Sequence, residues 1–251
     1  MRDRRGSSVW DAGKLAKAAG PLCLAWLVLY VVFQRFPSVD VSFSAMFCTG
    51  EGLHGALCDT FPAREHWLTG IFRPLFYWAP IVALVVMVCN VARHCARHGW
   101  SGDDRMRGEI LAIAAYLIGP ILIVNGWLKA HSGRPRPIDV SIFGGDMGFA
   151  AVGDFTGACL ANCSFVSGEA ASAGWLLCLL PLLLRGRFRY LIAALMIDVA
   201  IATPLLRVAM GAHFLSDVLL GWLIGAASMP LLIGLLSVLP KGISATLDRV
   251  R

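Results

Sequence analysis

Six long apolar segments restrict the folds open to this chain more than any other feature of its sequence. They lie near residues 20–36, 74–92, 109–128, 166–184, 189–206 and 213–239. Each is long enough, or nearly so, to cross a hydrocarbon core of about 30 Å. Because a membrane offers no water to hydrogen-bond an open backbone, each segment is predicted to be an α-helix. The sequence therefore predicts an all-α integral membrane protein with six transmembrane helices.

The composition agrees with a membrane protein and argues against a soluble domain and a nucleic-acid-binding protein. Only 15% of the residues are charged and 57% are hydrophobic, whereas soluble domains carry about 25% charged residues. The net charge of +6 is spread over short segments beside apolar runs, so we expect the lipid bilayer as partner and no nucleic acid. No linker, repeat or low-complexity tract divides the chain, so residues 1–251 are predicted to form a single domain.

The distribution of lysine and arginine predicts the orientation of the helices. Fifteen of these residues fall before the first segment, in the 93–107 and 185–189 loops and in the tail, and six fall in the opposite loops. By the positive-inside rule both termini are cytoplasmic. We expect the first segment to be a retained helix; the alternative, a cleaved signal peptide, is disfavoured by its long basic start and by Arg35-Phe36-Pro37.

Three short motifs on the predicted outer face carry the residue types of a phosphate-handling site. They are Lys129-Ala-His-Ser-Gly-Arg-Pro-Arg136-Pro137, Ser167-Gly168-Glu169 and Arg207-Val-Ala-Met-Gly-Ala-His213-Phe-Leu-Ser-Asp217. Phosphoryl transfer needs cations around the equatorial oxygens and a nucleophile in line with the leaving group. The motifs supply both, at the end of the third segment, the start of the fourth and the junction of the last two.

His213 and Asp217 are predicted to be the catalytic pair. Their i,i+4 spacing places them on one helix face, where a carboxylate bonded to Nδ1–H would leave Nε2 free to attack phosphorus. Taken alone, this spacing is more typical of a helix-end ion pair or a metal ligand. The nearby Arg207 favours the catalytic interpretation.

Lys129, Arg136 and Arg207 are predicted to form a phosphate clamp, because arginine suits bidentate oxygen contacts and lysine adds a compact charge. Arg134 has two open interpretations, a contact behind the site or a contact with a lipid headgroup. Ser167 and Gly168 begin the fourth helix, whose exposed N–H groups are a natural anion site. The alternative for these two residues is an ordinary helix N-cap.

The eight cysteines divide into two groups. Four lie in apolar segments or the cytoplasmic loop, whereas Cys48, Cys58, Cys159 and Cys163 fall in outer loops. An even number on the oxidising side predicts two disulfides with three possible connectivities. A bridge from Cys159 to Cys163 would fix the entry to the fourth helix. A zinc site is the alternative, although the outer cysteines lack well-spaced histidines.

The motifs resemble the type 2 phosphatidic acid phosphatase (PAP2) superfamily, whose pattern is Lys-x6-Arg-Pro, Pro-Ser-Gly-His and Ser-Arg-x5-His-x3-Asp. The chain departs from it at Val166, Leu206 and above all Glu169, which replaces a histidine that protonates the leaving oxygen in the family. A buried glutamic acid with raised pKa can serve as that acid. If Glu169 stays ionised, it needs Lys129 or an arginine as partner.

The stretch from Asn162 to Glu169, together with Gly-Arg-Pro-Arg-Pro and Phe143-Gly-Gly, is similar to bacterial lipid A phosphatases, particularly the 4′-acting group. The resemblance implies an inner-membrane enzyme of a Gram-negative bacterium that removes a phosphate monoester from lipid A on the periplasmic side. It implies a phosphohistidine at His213, Asp217 as its support, Glu169 as acid, and no cofactor or metal, since the cations take the place of the metal.

Other functions stay open from the sequence. Within the superfamily these are an undecaprenyl-pyrophosphate phosphatase, a phosphatidylglycerophosphate phosphatase or a lipid phosphotransferase. Outside it, a non-catalytic lipid binder or transporter is kept in view by Asp198, because carboxylates near the middle of membrane helices often mark ion pathways. Pairing of Asp198 with Asn125 or with another helix is the structural alternative.

Overall fold

A computed structural model of the chain describes residues 12–52, 55–100, 103–183 and 187–238. Seven helices are present in this part of the chain, and no β-strand is found there. The helices are α1 (Ala12–Arg35), α2 (Ser38–Ala45), α3 (Trp67–His98), α4 (Asp104–His131), α5 (Gly168–Leu182), α6 (Arg189–Ala209) and α7 (Leu215–Val238). The described segments 46–52, 55–66 and 132–166 contain turns, short 3₁₀ helices and two isolated β-bridges, Thr49 with Thr60 and Val140 with Met147.

Five helices, α1, α3, α4, α6 and α7, are long and apolar enough to cross a membrane. The fourth predicted segment corresponds to α5, which is apolar but shorter. The all-α membrane architecture is therefore confirmed, and the chain spans the membrane several times. A six-span count remains a prediction that depends on α5.

Three helices begin earlier than the hydrophobicity of the sequence predicted: α1 is already helical at Ala12 rather than near residue 20, and the other two begin at side-chain caps. The helix predicted to begin near residue 74 starts at Trp67, where the His66 side chain accepts from the Leu68 N–H at 3.3 Å. The helix predicted from residue 109 starts at Asp104, because the Asp103 carboxylate caps the Met106 N–H at 2.7 Å. Such caps extend a helix into polar sequence that apolar periodicity does not register.

The middle of α4 winds as a π-helix from Leu117 to Leu128. Proline has no N–H and its ring clashes with the carbonyl one turn back, so a wider turn accommodates Pro120. The Asn125 side chain donates to the Pro120 carbonyl at 2.7 Å. The pairing of Asn125 with Asp198, one of the alternatives that the sequence left open, is not found among the described residues. Asp198 itself is exposed on α6.

Helices α5 and α7 form the centre of the bundle and approach each other closely. A Cβ added at Gly225 of α7 would overlap the Ala171 carbonyl, and one added at Gly174 of α5 would overlap the Trp222 carbonyl. Small residues allow such approach between membrane helices. Trp175 beside this contact is fully buried and donates its Nε1–H to the Ala112 carbonyl at 2.9 Å. The starts of α5 and α7 are thereby fixed side by side.

Candidate active site

His213 lies in the tight turn between α6 and α7 and is 1% exposed. Its Nδ1 is 2.8 Å from the Ser164 carbonyl oxygen. A carbonyl only accepts, so Nδ1 carries the proton and Nε2 is left as the unprotonated, nucleophilic nitrogen. The backbone of Ser164, three residues before the second motif, therefore fixes the imidazole tautomer that leaves Nε2 free.

Asp217 does not bind the imidazole directly, so the predicted carboxylate–Nδ1 hydrogen bond is wrong. Its Oδ2 lies 3.9 Å from Nδ1. The same oxygen accepts from the Ser164 hydroxyl at 2.5 Å and from the Phe214 N–H at 2.9 Å. Asp217 sits in the first turn of α7, where a side chain readily caps its own helix. Ser164 thus links both residues, by its carbonyl to His213 and by its hydroxyl to Asp217.

Arg134 lies behind this pair and is 1% exposed. Its Nη1 donates to Asp217 Oδ1 at 2.6 Å, its Nε donates to the Ala150 carbonyl at 2.9 Å, and its guanidinium lies over the Phe214 ring. Burial alone would lower the pKa of Arg134, but Asp217 and Asp40 raise it overall. The structure therefore places Arg134 against the Asp217 carboxylate, behind the site, and its burial does not fit the alternative contact with a lipid headgroup.

Two of the predicted clamp cations are held by one loop residue, Asn162. Its Oδ1 accepts from Lys129 Nζ at 3.3 Å, and its carbonyl accepts from Arg136 Nη2 at 3.1 Å. Asn162 has a positive φ of 51°, a conformation that asparagine tolerates better than most residues. From the sequence, Asn162 was named only as the first residue of the stretch similar to lipid A phosphatases, and its contacts with Lys129 and Arg136 were not predicted.

Arg207 is the most deeply buried of the clamp cations, at 4% exposed. Its Nη1 lies 3.5 Å from Glu169 Oε1, and Nη2 of Arg73 lies 3.7 Å from the same oxygen. Its buried Nε has no hydrogen-bond partner among the residues that the structure describes. That donor suits a bound phosphate oxygen. From the sequence, Arg73 was placed only among the lysines and arginines of the predicted outer loops. The structure places it in α3, where its side chain reaches Glu169.

The electrostatics of His213 show that the predicted cations are gathered around it. Burial lowers its pKa well below 6.5, and Arg207, Lys129 and Arg136 lower it further. A neutral imidazole near several cations can attack a phosphate that those cations attract. The 3.9 Å approach of Asp217 to neutral His213 is consequently no ion pair.

The second motif begins α5 as predicted, and the structure gives Gly168 a packing reason. The Ser167 hydroxyl caps the helix by accepting from the Ala170 N–H at 3.3 Å. A Cβ on Gly168 would lie 2.5 Å from Asn125 Oδ1 of α4. Glu169 follows in the first turn of α5, 17% exposed at its side chain. Close packing of α4 on α5 therefore sets the position of Glu169 beside Arg207.

The outer cysteines form Cys48–Cys58 and Cys159–Cys163 disulfides, one of the three connectivities that the sequence allowed. Paired sulfurs are not thiolate ligands, so the alternative zinc site does not fit them. Across the described ranges, no group of three metal-ligating side chains was found. The second disulfide closes the loop that carries Asn162.

Two clefts adjoin the site and differ in character. A polar pocket of about 410 Å³ shares Arg136 and Asn162 with the clamp and is also lined by Arg64 and Asp139. An apolar groove of about 610 Å³ runs between α3, α5 and α6, with Pro74, Trp78 and Leu176 among its lining residues. The polar pocket therefore shares residues with the clamp, and the lining of the apolar groove includes Pro74, the residue directly after Arg73.

Comparisons with known proteins agree with this geometry. Residues 109–238 match the PAP2 superfamily. The chain is 44% identical to a lipid A 4′-phosphatase of Rhizobium leguminosarum over 204 residues, 79% of this chain and 87% of the relative. A lipid A 4′-phosphatase of Francisella tularensis subsp. novicida is 30% identical over 192 residues, 75% of this chain and 82% of that protein.

A solved structure shares the fold. The crystal structure of a transmembrane PAP2-type phosphatidylglycerolphosphate phosphatase from Bacillus subtilis superposes with a TM-score of 0.50 at 20% identity, covering 93% of this chain and 98% of the other. At that identity the likeness shows the fold alone. The family match and the curated relatives confirm the resemblance that the three motifs predicted: the chain belongs to the PAP2 superfamily.

Proposed function

We propose that this protein is a bacterial lipid A phosphatase that removes the 4′-phosphate through a phosphohistidine at His213. The observation that carries the proposal is the neutral imidazole, with Nδ1 bound to the Ser164 carbonyl and with Arg207, Lys129 and Arg136 around it. The relatives named lipid A 4′-phosphatases, 44% and 42% identical, support this substrate over other lipid phosphates.

In the first step, Nε2 of His213 attacks phosphorus while the bond from phosphorus to the sugar oxygen breaks. Lys129, Arg136 and Arg207 hold the equatorial oxygens, and the Arg207 Nε supplies a buried donor. Asp217, held by Ser164 and Arg134, stabilises the positive charge that develops on the imidazole. In the second step, water attacks the phosphohistidine, phosphate leaves and Nε2 is restored.

Glu169 is proposed to donate a proton to the departing sugar oxygen and then to accept one from the attacking water. Nη1 of Arg207 and Nη2 of Arg73 lie 3.5 and 3.7 Å from Glu169 Oε1, and these contacts place the carboxyl group beside the clamp. The proton that Glu169 gives to the sugar oxygen in the first step is replaced by the proton that it takes from water in the second, so the cycle balances.

The two clefts suit an amphiphilic substrate with a sugar headgroup. The polar pocket beside Arg136 offers Asp139 and Asn162, which can bind hydroxyl and amide groups. The apolar groove between α3 and α6 offers a space for acyl chains beside the bilayer. Lipid A carries both kinds of group on its phosphorylated sugars.

We propose further that the active site faces the periplasm from the inner membrane, with both termini cytoplasmic. The support is the excess of lysine and arginine on the opposite side and the two disulfides on the active-site side, which form in oxidising compartments. The terminal residues 1–11 and 239–251, which carry part of that charge, lie outside the described residues.

Mass spectrometry of lipid A from a Gram-negative host that expresses the protein tests this function. We expect the distal sugar to lose its phosphate, and expression of His213→Ala to leave lipid A intact. Loss of only the 1-phosphate would contradict the proposed position. Unchanged lipid A, with release of phosphate from another lipid, would contradict the proposed substrate.

Purified Glu169→Gln tests the acid role, because glutamine keeps the size but has no transferable proton. General acid–base catalysis contributes about 10²–10⁴-fold, so turnover of lipid A should fall by that order. On an activated aryl phosphate, whose leaving group needs no proton, the loss should be smaller. Equal losses on both substrates would show that Glu169 instead organises Arg207 and Arg73.

A further inference from the structure

A second carboxylate, Asp40, lies on the far side of Arg134 from Asp217 and takes no part in the chemistry described above. Asp40 belongs to α2, the short helix that follows α1, and is 0% exposed. It precedes residues 109–238, the segment that matches the PAP2 superfamily. Phe43 on the same helix packs against a core cluster of α5, α6 and α7, so α2 is fixed against the catalytic helices.

The carboxylate of Asp40 is fully engaged in hydrogen bonds. Its Oδ2 accepts from Arg134 Nη2 at 2.8 Å and from the Ser216 hydroxyl at 2.6 Å. Its Oδ1 accepts from the Ser216 N–H at 2.8 Å. Ser216 lies in the first turn of α7, directly before Asp217, so Asp40 also serves as an N-terminal cap supplied by another helix.

These contacts form a continuous path from Asp40 to the imidazole. Arg134 joins Asp40 to Asp217 Oδ1, Ser164 joins Asp217 Oδ2 to the His213 ring, and the Ser164 N–H donates to the Arg134 carbonyl at 2.8 Å. Every side chain on the path is at most 1% exposed. Of these residues, only His213 is proposed to react with the substrate.

We propose that Asp40 is a positioning residue for the reaction: it holds Arg134 and the first turn of α7, and so fixes the Asp217 carboxylate behind His213. The proposal rests on the function proposed above. Without Asp40, Arg134 has Asp217 as its single carboxylate partner and α7 loses a cap. The resulting shift of Asp217 and His213 affects the geometry of attack, whereas the phosphate clamp keeps its own contacts to Asn162 and Glu169.

The buried charges make a test by double substitution possible. Asp40, Arg134 and Asp217 together carry one negative charge. Asp40→Asn makes the group neutral, Arg134→Met leaves two unbalanced carboxylates, and the two changes together restore a single negative charge. Removing one member of a buried ion pair is far more damaging than removing both. The double variant should therefore be more active than Arg134→Met alone.

The experiment measures kcat, KM and inhibition by inorganic phosphate for these three variants in detergent, on lipid A and on an aryl phosphate. Inorganic phosphate is the probe of the clamp, because the cations can hold it without a bond to His213. Misplacement of about 1 Å at a reacting centre costs about 10²-fold, so Asp40→Asn should lower kcat by up to that factor, with KM and phosphate inhibition near wild type. Asp146→Asn, which removes an exposed outer carboxylate, is the matched control and should behave as wild type.

Three results would overturn the proposal: wild-type kcat in Asp40→Asn, an increase in KM with weaker phosphate inhibition like that of a clamp variant, or losses that multiply in the double variant. If Asp40→Asn does not accumulate in membranes, the comparison of Arg134→Met with the double variant decides. A wild type that releases phosphate from the aryl ester but not from lipid A would refute the proposed substrate and still test Asp40.

Discussion

Ser164 offers a sharp test of the site, because alanine at this position keeps the backbone contact and removes the hydroxyl. The carbonyl contact to His213 Nδ1 at 2.8 Å remains in Ser164→Ala. The hydroxyl bond to Asp217 at 2.5 Å and the weaker hydroxyl contact to His213 Nδ1 at 3.4 Å are lost. A hydrogen bond to a charged group contributes about 1.5–3 kcal/mol. For a chain of this length, that loss corresponds to a fall of about 3–12 °C in the thermal midpoint.

The effect of Ser164→Ala on turnover has an upper limit. If the full free energy of this hydrogen bond stabilised only the transition state, loss of the bond would lower kcat by about 10²-fold. The bond is already present in the resting structure, so we expect a decrease within about tenfold. Thermal denaturation and steady-state kinetics of the purified protein measure both effects.

Ser132→Ala is the matched control for this prediction. Ser132 is 2% exposed, and its hydroxyl has no hydrogen-bond partner among the described residues. Its removal should leave the midpoint unchanged or raise it. Equal midpoints for the two alanine variants would refute the role of the Ser164 hydroxyl. Loss of activity in Ser164→Ala as complete as in His213→Ala would show that the hydroxyl takes part in the chemistry.

Three further predictions concern the charges around His213. Because the pKa of His213 is lowered, the decrease of kcat/KM on the acid side of its pH profile should lie below about pH 6.5. Arg136→Ala removes a repelling cation, so it should raise the pKa of His213 and move this decrease to higher pH. Asn162→Gly keeps the positive φ and the carbonyl that binds Arg136 but loses the Lys129 contact, so it should retain more activity than Asn162→Ala, with both showing a raised KM. Asp217→Asn should leave a small residual activity that exceeds that of His213→Ala, as kinetics at high enzyme concentration will measure.

The sequence predicted the elements of the fold whose signals are local. Long apolar runs indicated the helices, and motif spacing placed His213, Asp217 and Arg207 at one end of the bundle. The first residues of α3 and α4 were missed because the polar N-caps at His66 and Asp103 do not follow apolar periodicity. The π-helical turn around Pro120 was missed because proline signals a break without specifying how it is accommodated.

The support of the site could not be predicted, since it depends on contacts between distant parts of the chain. Asp40 and Asp217 are joined through Arg134, and no spacing rule connects α2 with α7. For the same reason Ser164 took the Nδ1 hydrogen bond that the i,i+4 pattern assigned to Asp217. Asn162 and Arg73 reach the clamp from a disulfide-closed loop and from α3, respectively.

The most direct test of the account is to trap the covalent intermediate. Rapid quenching of the enzyme during turnover of lipid A labelled with ³²P at the 4′-phosphate should give an acid-labile, alkali-stable phosphoprotein, and peptide mass spectrometry should place the phosphate on His213. The label should be absent from His213→Ala. Label on another residue, or lipid A turnover by His213→Ala at the wild-type rate, would contradict the assignment of His213 as the nucleophile.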